Sequence, residues 1–98
     1  MKEKIIKIIS DALTELNEEL DYDSLKNITD ATEIFGGDDG LDSLSLVRLV
    51  TEVEMNVNDE FDSSVLLASE KAMSMRNSPY RNVGSLTEFV ISELESNR

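Results

Sequence analysis

Chemistry on this chain could be carried by one serine hydroxyl, at the boundary between an acidic, glycine-containing loop and an apolar-periodic segment. The sequence over residues 37–47 reads Gly-Asp-Asp-Gly-Leu-Asp-Ser-Leu-Ser-Leu-Val, and the serine is Ser43. Aspartate or serine directly before an apolar run is a helix-start signal, because the side-chain oxygen accepts an orphan backbone N–H. We therefore predict Ser43 at the mouth of a helix, either as a helix cap or as a modification site.

The composition excludes most forms of autonomous catalysis. The 98 residues include no Cys and no His, so the chain has no thiolate nucleophile, no Ser-His-Asp triad and no Cys or His metal ligand. Asp38, Asp39 and Asp42 are close in sequence, but we predict them in a solvated loop with no sign of burial to tune them for acid–base work. They also fail the EF-hand pattern, since Ser43 stands where glycine is required. We expect neither an enzyme nor a metal site.

The charge is strongly negative and unevenly distributed. The formal net charge is -12, and residues 11–62 carry sixteen acidic side chains against two cationic ones, whereas residues 71–87 carry three cations and no acid. Nucleic acid is therefore disfavoured as a partner, and basic protein surfaces are favoured through electrostatic steering. No stretch could span a membrane, and charged residues interrupt the N-terminal apolar run too early for a signal peptide. We expect a cytoplasmic monomer without membrane insertion.

Apolar periodicity predicts one all-α domain over residues 1–98. The spacing favours helices over 4–20 and 43–57, a shorter helix over 65–75, and a last helix near Gly84 and Ser85, with capping-box spacing between Ser85 and Glu88. The stripes expected in the core are Ile5, Ile9, Leu13, Leu16 and Leu20; Leu46, Leu49, Val50, Val53 and Val57; and Leu86, Phe89, Val90, Ile91 and Leu94.

A long loop separates the first two predicted helices. Residues 21–41 show little helical period, and a structureless loop of this length in a compact domain needs anchors. The apolar residues expected to pin it across the bundle are Leu25, Ile28, Ile34 and Phe35.

The pattern around Ser43 resembles the attachment motif of the acyl carrier proteins. Its most specific part is Gly40-Leu41-Asp42-Ser43-Leu44, followed by Val47, Leu49 and Val50. The long first loop, the short third helix, the acidity and the length extend the resemblance over nearly the whole chain. The resemblance implies an acyl-carrier-like four-helix bundle with three longer helices, a short third helix and a long first loop.

The resemblance also implies a function. A 4′-phosphopantetheinyl transferase would move a 4′-phosphopantetheine arm from coenzyme A onto the Ser43 hydroxyl. Acyl intermediates of fatty-acid or lipid biosynthesis would be held as thioesters on that arm, which supplies the sulfur that the chain lacks. Acyl- or aminoacyl-loading and acyl-transferring enzymes would be the further partners.

The resemblance places a partner-binding surface on the second helix. Its residues are Leu44, Val47, Arg48, Thr51 and Glu54. Many carriers of the fatty-acid pathway have acidic residues at the positions of Ser45 and Arg48 in this chain. We therefore predict selective partners, because a displaced positive charge opposes a basic docking surface.

A cationic stretch lengthens the chain relative to short carriers and is similar to that region of specialised bacterial members of the family. It covers residues 71–81 and includes Arg76, Tyr80 and Arg81. We interpret it as a solvated loop and helix extension; in the alternative interpretation Arg76, Tyr80 or Arg81 contacts a dedicated partner or an anionic part of the cofactor.

Two other functions are compatible with the same residues. An aminoacyl or peptidyl carrier of a specialised pathway would share every feature, because the cargo hangs from the arm rather than from a side chain. A small acidic helical adaptor, or a DNA-mimic inhibitor, would use Ser43 only as an N-cap.

Overall fold

Three α-helices make up most of the described structure. The computed structural model describes residues 2–22, 25–35, 41–67 and 79–96. Helix α1 spans Lys2–Leu20, α2 spans Ser43–Phe61 and α3 spans Val83–Ser96. The radius of gyration is 12.4 Å, as expected for a compact chain of this length. The all-α prediction is confirmed, but the described ranges contain three helices and do not show a four-helix bundle.

Each helix buries the apolar stripe that its sequence predicts. The buried residues are Ile5, Ile9, Ala12, Leu13 and Leu16 on α1; Leu46, Leu49, Val50, Val53 and Val57 on α2; and Val83, Leu86, Val90 and Leu94 on α3. α1 packs against both other helices, while Leu20, Phe89 and Ile91 are partly buried against the same core. Burial of each large aliphatic side chain stabilises the fold by roughly 1.5–3 kcal/mol, so this core dominates the stability.

α1 and α2 run antiparallel to each other. Lys4 Nζ lies 3.4 Å from Glu60 Oε1, and Arg48 Nη1 lies 2.8 Å from Glu19 Oε2. The start of α1 therefore lies beside the end of α2, and the end of α1 lies beside the first half of α2. All four side chains are about half exposed or more, so these ion pairs contribute little to the free energy of folding.

The long loop between α1 and α2 is pinned by the predicted anchors. Leu25 and Ile34 are buried, and Ile28 and Phe35 pack partly against the core. The first part of the loop is also fastened to α1, because Tyr22 N donates to the side-chain oxygen of Asn17 at 2.6 Å. The prediction that apolar residues hold this loop across the bundle is confirmed.

The same loop pairs with the segment that leads into α3. Ile34 N donates to Arg81 O at 2.9 Å, and Gly84 N donates to Asp30 O at 2.7 Å. A Cβ atom on residue 84 would lie 3.1 Å from Asp30 O, so glycine permits this close approach of two backbones. An isolated antiparallel bridge between Glu33 and Asn82 lies within this contact.

The capping box of the last helix lies earlier than predicted. Asn82 directly precedes α3; Ser85 N donates to Asn82 Oδ1 at 2.7 Å, and Asn82 N donates to Ser85 Oγ at 3.1 Å. This reciprocal pair is a capping box three positions before the predicted Ser85–Glu88 pair, which is therefore wrong. Ser85 Oγ also donates to Pro79 O at 3.0 Å, and this bond ties the preceding turn to the helix.

α2 is longer than predicted, because it continues past residue 57 to Phe61. Asp62 ends the helix in a left-handed conformation with φ 49°, and its backbone N–H donates to Asn58 O. Phe61 is the last residue of α2 and is partly buried against the core.

The short helix predicted over 65–75 does not start at Val65. Residues 63–67 have no helical structure, and the side-chain amide of Asn58 accounts for this. Val65 N donates to Asn58 Oδ1 at 2.8 Å, and Asn58 Nδ2 donates to Val65 O at 3.2 Å. Because both backbone groups of Val65 already have a partner, a helix gains nothing at this position. The remainder of the predicted helix, residues 68–75, lies outside the described residues.

Candidate functional site

Asp42 sets the start of α2. Its backbone is extended, with φ -77° and ψ 172°, and its carboxylate accepts from Ser45 N at 2.8 Å. Leu46 N donates to Asp42 O at 2.9 Å and closes the first helical turn. The backbone N–H of Ser45, followed by its hydroxyl, holds the pKa of Asp42 below its usual value, since these donors stabilise the ionised carboxyl.

Ser43 is the first helical residue and not the cap. The part of the adaptor hypothesis that makes Ser43 an N-cap is therefore wrong, because the Asp42 carboxylate takes that role. The sequence pattern left this open because aspartate and serine are both good N-caps and stand next to each other here. The adaptor function itself stays a prediction.

The predicted motif around Ser43 contains residues with opposite burial. Leu41 is buried, and its backbone N–H donates to Ile34 O at 2.7 Å. Leu44 is 73% exposed. The chain is thus fastened to the core two residues before Ser43 and presents an apolar side chain to solvent one residue after it. Gly40 lies outside the described residues.

Most residues predicted to bind partners share one exposed face of α2. Leu44, Val47, Arg48 and Thr51 recur at steps of three or four residues and are all exposed. Met55 is 65% exposed and extends the same face by one turn. We call these five residues the α2 face. Sequence reasoning missed Met55, although its position four residues after Thr51 could have identified it.

Glu54 has an internal partner. Its Oε1 accepts the backbone N–H of Leu67 at 2.7 Å, and the side chain is partly buried. The carboxylate therefore holds the segment after α2 against the helix. Glu54 as a partner-binding residue stays a prediction, and the geometry gives it a structural role in addition.

Tyr80 packs in the core and does not lie on a partner surface. It is 2% exposed, its hydroxyl donates to Leu67 O, and its ring meets Phe89 edge-on with centroids 6.3 Å apart. The interpretation of Tyr80 as a partner contact is therefore wrong. Arg81 is exposed, and Arg76 lies outside the described residues.

Arg48 does not present a free charge on the α2 face. Its guanidinium donates to Glu19 at 2.8 Å, and this hydrogen bond raises the pKa of Arg48. A depression of about 240 Å³ lies beside the pair, between α1 and α2. Its lining residues are Glu15, Leu16, Glu18, Glu19, Arg48 and Glu52.

The pKa of Glu52 is shifted by burial and by the neighbouring charged groups of α1 and α2. Burial, followed by a hydrogen bond to Glu15 and repulsion from its charge, raises the pKa of Glu52, whereas Arg48 lowers it. Arg48 therefore compensates negative charge that α1 and α2 bring together. The sequence showed the abundance of acids but could not show which of them meet across the two helices.

Two kinds of feature are absent from the part of the chain that the structure describes. No group of three or more acidic side chains is placed there to hold a metal ion; Asp38 and Asp39 lie outside this part. None of its helices combines the length and apolarity needed to cross a membrane. Comparisons with protein-family models, with curated proteins and with solved structures found no match.

Proposed function

We propose that this chain is an acyl carrier protein, which holds acyl intermediates as thioesters on a 4′-phosphopantetheine arm attached to Ser43. The observation that supports the proposal most is the division of roles at the start of α2. Asp42 caps the helix, so Ser43 is not needed for capping, and Leu44 beside it is exposed. Several enzymes must reach the phosphopantetheine arm, so its attachment point should lie beside exposed residues and should not be needed to cap the helix.

The residues at the start of α2 fit a phosphodiester. The first backbone N–H groups of a helix lack intrahelical partners, and the helix dipole favours negative charge there. The lowered pKa of Asp42, which accepts one of these N–H groups, reflects the same preference. When bound, the arm supplies a thiol that a chain without cysteine lacks.

The chain acts as a substrate in the proposed loading reaction. The Ser43 hydroxyl forms a phosphodiester with the pantetheine phosphate of coenzyme A, the pyrophosphate bond of coenzyme A breaks, and 3′,5′-ADP leaves. The hydroxyl proton goes to a base of the phosphopantetheinyl transferase. The buried Leu41 fixes the chain two residues before Ser43. The α2 face offers apolar contacts to the transferase and to acyl-loading and acyl-transferring enzymes.

The resemblance to acyl carrier proteins also implies a fold, a location and an oligomeric state. We propose an acyl-carrier-like four-helix bundle, a cytoplasmic location and a monomer. Three observations support the fold: α1 packs against both other helices, α2 carries a complete apolar stripe, and the long first loop is pinned to the segment before α3.

Intact-protein mass spectrometry tests the proposal. The chain is incubated with coenzyme A, magnesium and a broad-specificity phosphopantetheinyl transferase, and we expect a mass gain of one phosphopantetheine group. Ser43→Ala should show no gain, whereas the control Ser64→Ala, at an exposed serine in segment 63–67, should gain the group like the wild type. An unmodified wild-type chain would refute the carrier function, and a modified Ser43→Ala variant would refute the residue assignment.

A further inference from the structure

We infer that Arg48 restricts the choice of partner by masking an acidic edge that lies beside the α2 face. The acidic edge consists of Glu15, Glu18, Glu19 and Glu52, which line the depression between α1 and α2. The inference rests on the proposed carrier function and specifies which docking enzymes the carrier accepts.

Arg48 is the residue of the α2 face that contacts the acidic edge. Along the helix it stands four residues after Leu44 and three before Thr51, so it shares their exposed side. Its guanidinium nevertheless donates to Glu19 on α1 at 2.8 Å. An approaching protein therefore meets a neutral ion pair where Glu19 alone would present a negative charge.

Charge counting gives the direction of the effect. Four carboxylates and one guanidinium line the depression, so removal of Arg48 leaves the acidic edge with one more uncompensated negative charge. Removal of the Glu19 charge has the opposite effect, because it frees the Arg48 cation. Removal of both charges leaves the net charge of the region unchanged. The raised pKa of Glu52, which Arg48 opposes, agrees with this compensation.

The ion pair is exposed enough to be changed without loss of the fold. The Arg48 and Glu19 side chains are 52% and 63% exposed, and ion pairs as exposed as this one contribute little to stability. Charge changes at this place should therefore act on association with a basic partner. Such effects weaken as salt shortens the range of electrostatic attraction.

Loading kinetics of four proteins test the inference: wild type, Arg48→Ala, Glu19→Gln and the double variant. The probe is a phosphopantetheinyl transferase with a Lys- and Arg-rich docking face, assayed at low ionic strength. We expect Arg48→Ala to raise kcat/KM about three- to tenfold through a lower KM, and Glu19→Gln to lower it by a similar factor. The double variant should return to within about twofold of wild type, and high salt should abolish the differences.

Lys7→Ala is the matched control. Lys7 Nζ lies 3.2 Å from Asp11 Oδ2 in another exposed ion pair, near the opposite end of α1. Its removal changes the net charge of the chain by the same amount as Arg48→Ala. Under the masking account it should change kcat/KM much less than Arg48→Ala does.

The outcomes separate this inference from the function on which it rests. Wild-type loading with equal kcat/KM for all variants would overturn the masking role alone. A loss in Arg48→Ala that the double variant shares would also overturn it, because Arg48 would then contact the partner directly. Failure of the wild type to be loaded at all would overturn both the inference and the carrier function.

Discussion

The sequence pattern allows either Asp42 or Ser43 to cap α2, and in the structure Asp42 is the cap. The Asp42 carboxylate accepts the Ser45 N–H and fixes where α2 begins, and Ser43 follows as the first helical residue. An ionised carboxylate is well placed at the positive end of the helix dipole. The consequence for the carrier proposal is that attachment at Ser43 does not remove the cap of α2.

The close approach of several carboxylates should affect the free energy of unfolding most clearly through Glu52. Burial and the neighbouring Glu15 raise its pKa, so the native state favours the protonated form more than the unfolded state does. The ionised carboxylate therefore destabilises the native state at neutral pH. This cost disappears as the pH falls below the usual pKa of a glutamate side chain, about 4.5. We predict that Glu52→Gln raises the free energy of unfolding at pH 7 and gives little gain at pH 4.

Urea unfolding at the two pH values measures this difference. Glu88→Gln, at an exposed position on α3, is the control for the general benefit of removing one negative charge from an acidic chain. At pH 7 the gain from Glu52→Gln should exceed that of the control. Equal gains for the two variants, or a gain of the same size at both pH values, would contradict this account of Glu52.

At the scale of elements, α2 acts as a template for the extended segment that follows it. Asn58 binds both backbone groups of Val65, and Glu54 accepts the N–H of Leu67. Val65 and Leu67 are consequently buried while Leu66 between them is 60% exposed, which is the alternation of extended chain. Two polar side chains on α2 thus decide the path of residues 63–67.

We predict that Asn58→Ala lowers the free energy of unfolding by about 2 kcal/mol. The substitution removes the side-chain partner of Val65 N, Val65 O and the Ser63 hydroxyl, and unsatisfied buried backbone groups are costly. Asn56→Ala is the matched control, because Asn56 is exposed on the same helix and should change the free energy by less than about 0.5 kcal/mol. Equal effects of the two substitutions in denaturant unfolding would contradict the template role.

The sequence was sufficient to predict the three long helices, because each carries an apolar stripe of helical period. The boundaries depended on choices between similar residues, as with Asn82 and Ser85 at α3. The predicted short helix does not begin at Val65, because the Asn58 side chain on α2 satisfies the backbone there. Pattern reasoning considers each segment alone, so it could not detect these contacts between segments.

The same limit applies to the site. The position of Ser43 at the start of a helix was predictable from the sequence pattern, whereas the exposed face that follows it was predicted from the resemblance to acyl carrier proteins. The pairing of Arg48 with Glu19 was not, because the two residues are far apart in the chain and meet only through the packing of α1 on α2. The sequence alone therefore predicts only that the Arg48 charge opposes basic partners, without its pairing to Glu19.

At the scale of the whole molecule, most large apolar side chains of the described residues fill the core between the helices. Four are exposed: Leu66 in segment 63–67, and Leu44, Val47 and Met55 on the α2 face. An exposed apolar stripe adds nothing to the core and suits a docking surface. Stability and recognition should therefore be separable by substitution.

We predict that Leu46→Ala and Leu44→Ala have opposite profiles. Leu46 is 2% exposed, and its truncation should lower the free energy of unfolding by about 3 kcal/mol. Leu44→Ala should change that free energy by less than about 0.5 kcal/mol but lower kcat/KM for loading by roughly fivefold or more. Denaturant unfolding and transferase kinetics on both variants check this, and unchanged loading of Leu44→Ala would argue against the α2 face as a docking surface.

The central claim is that Ser43 carries the phosphopantetheine arm, and peptide fragmentation of the loaded protein tests it most directly. The wild-type chain is treated with coenzyme A, magnesium and a phosphopantetheinyl transferase, digested, and its modified peptide is sequenced by mass spectrometry. The account predicts one modified peptide, with the group on Ser43 and none on the neighbouring Ser45. A chain that stays unmodified, or one that carries the group on another serine, would contradict it.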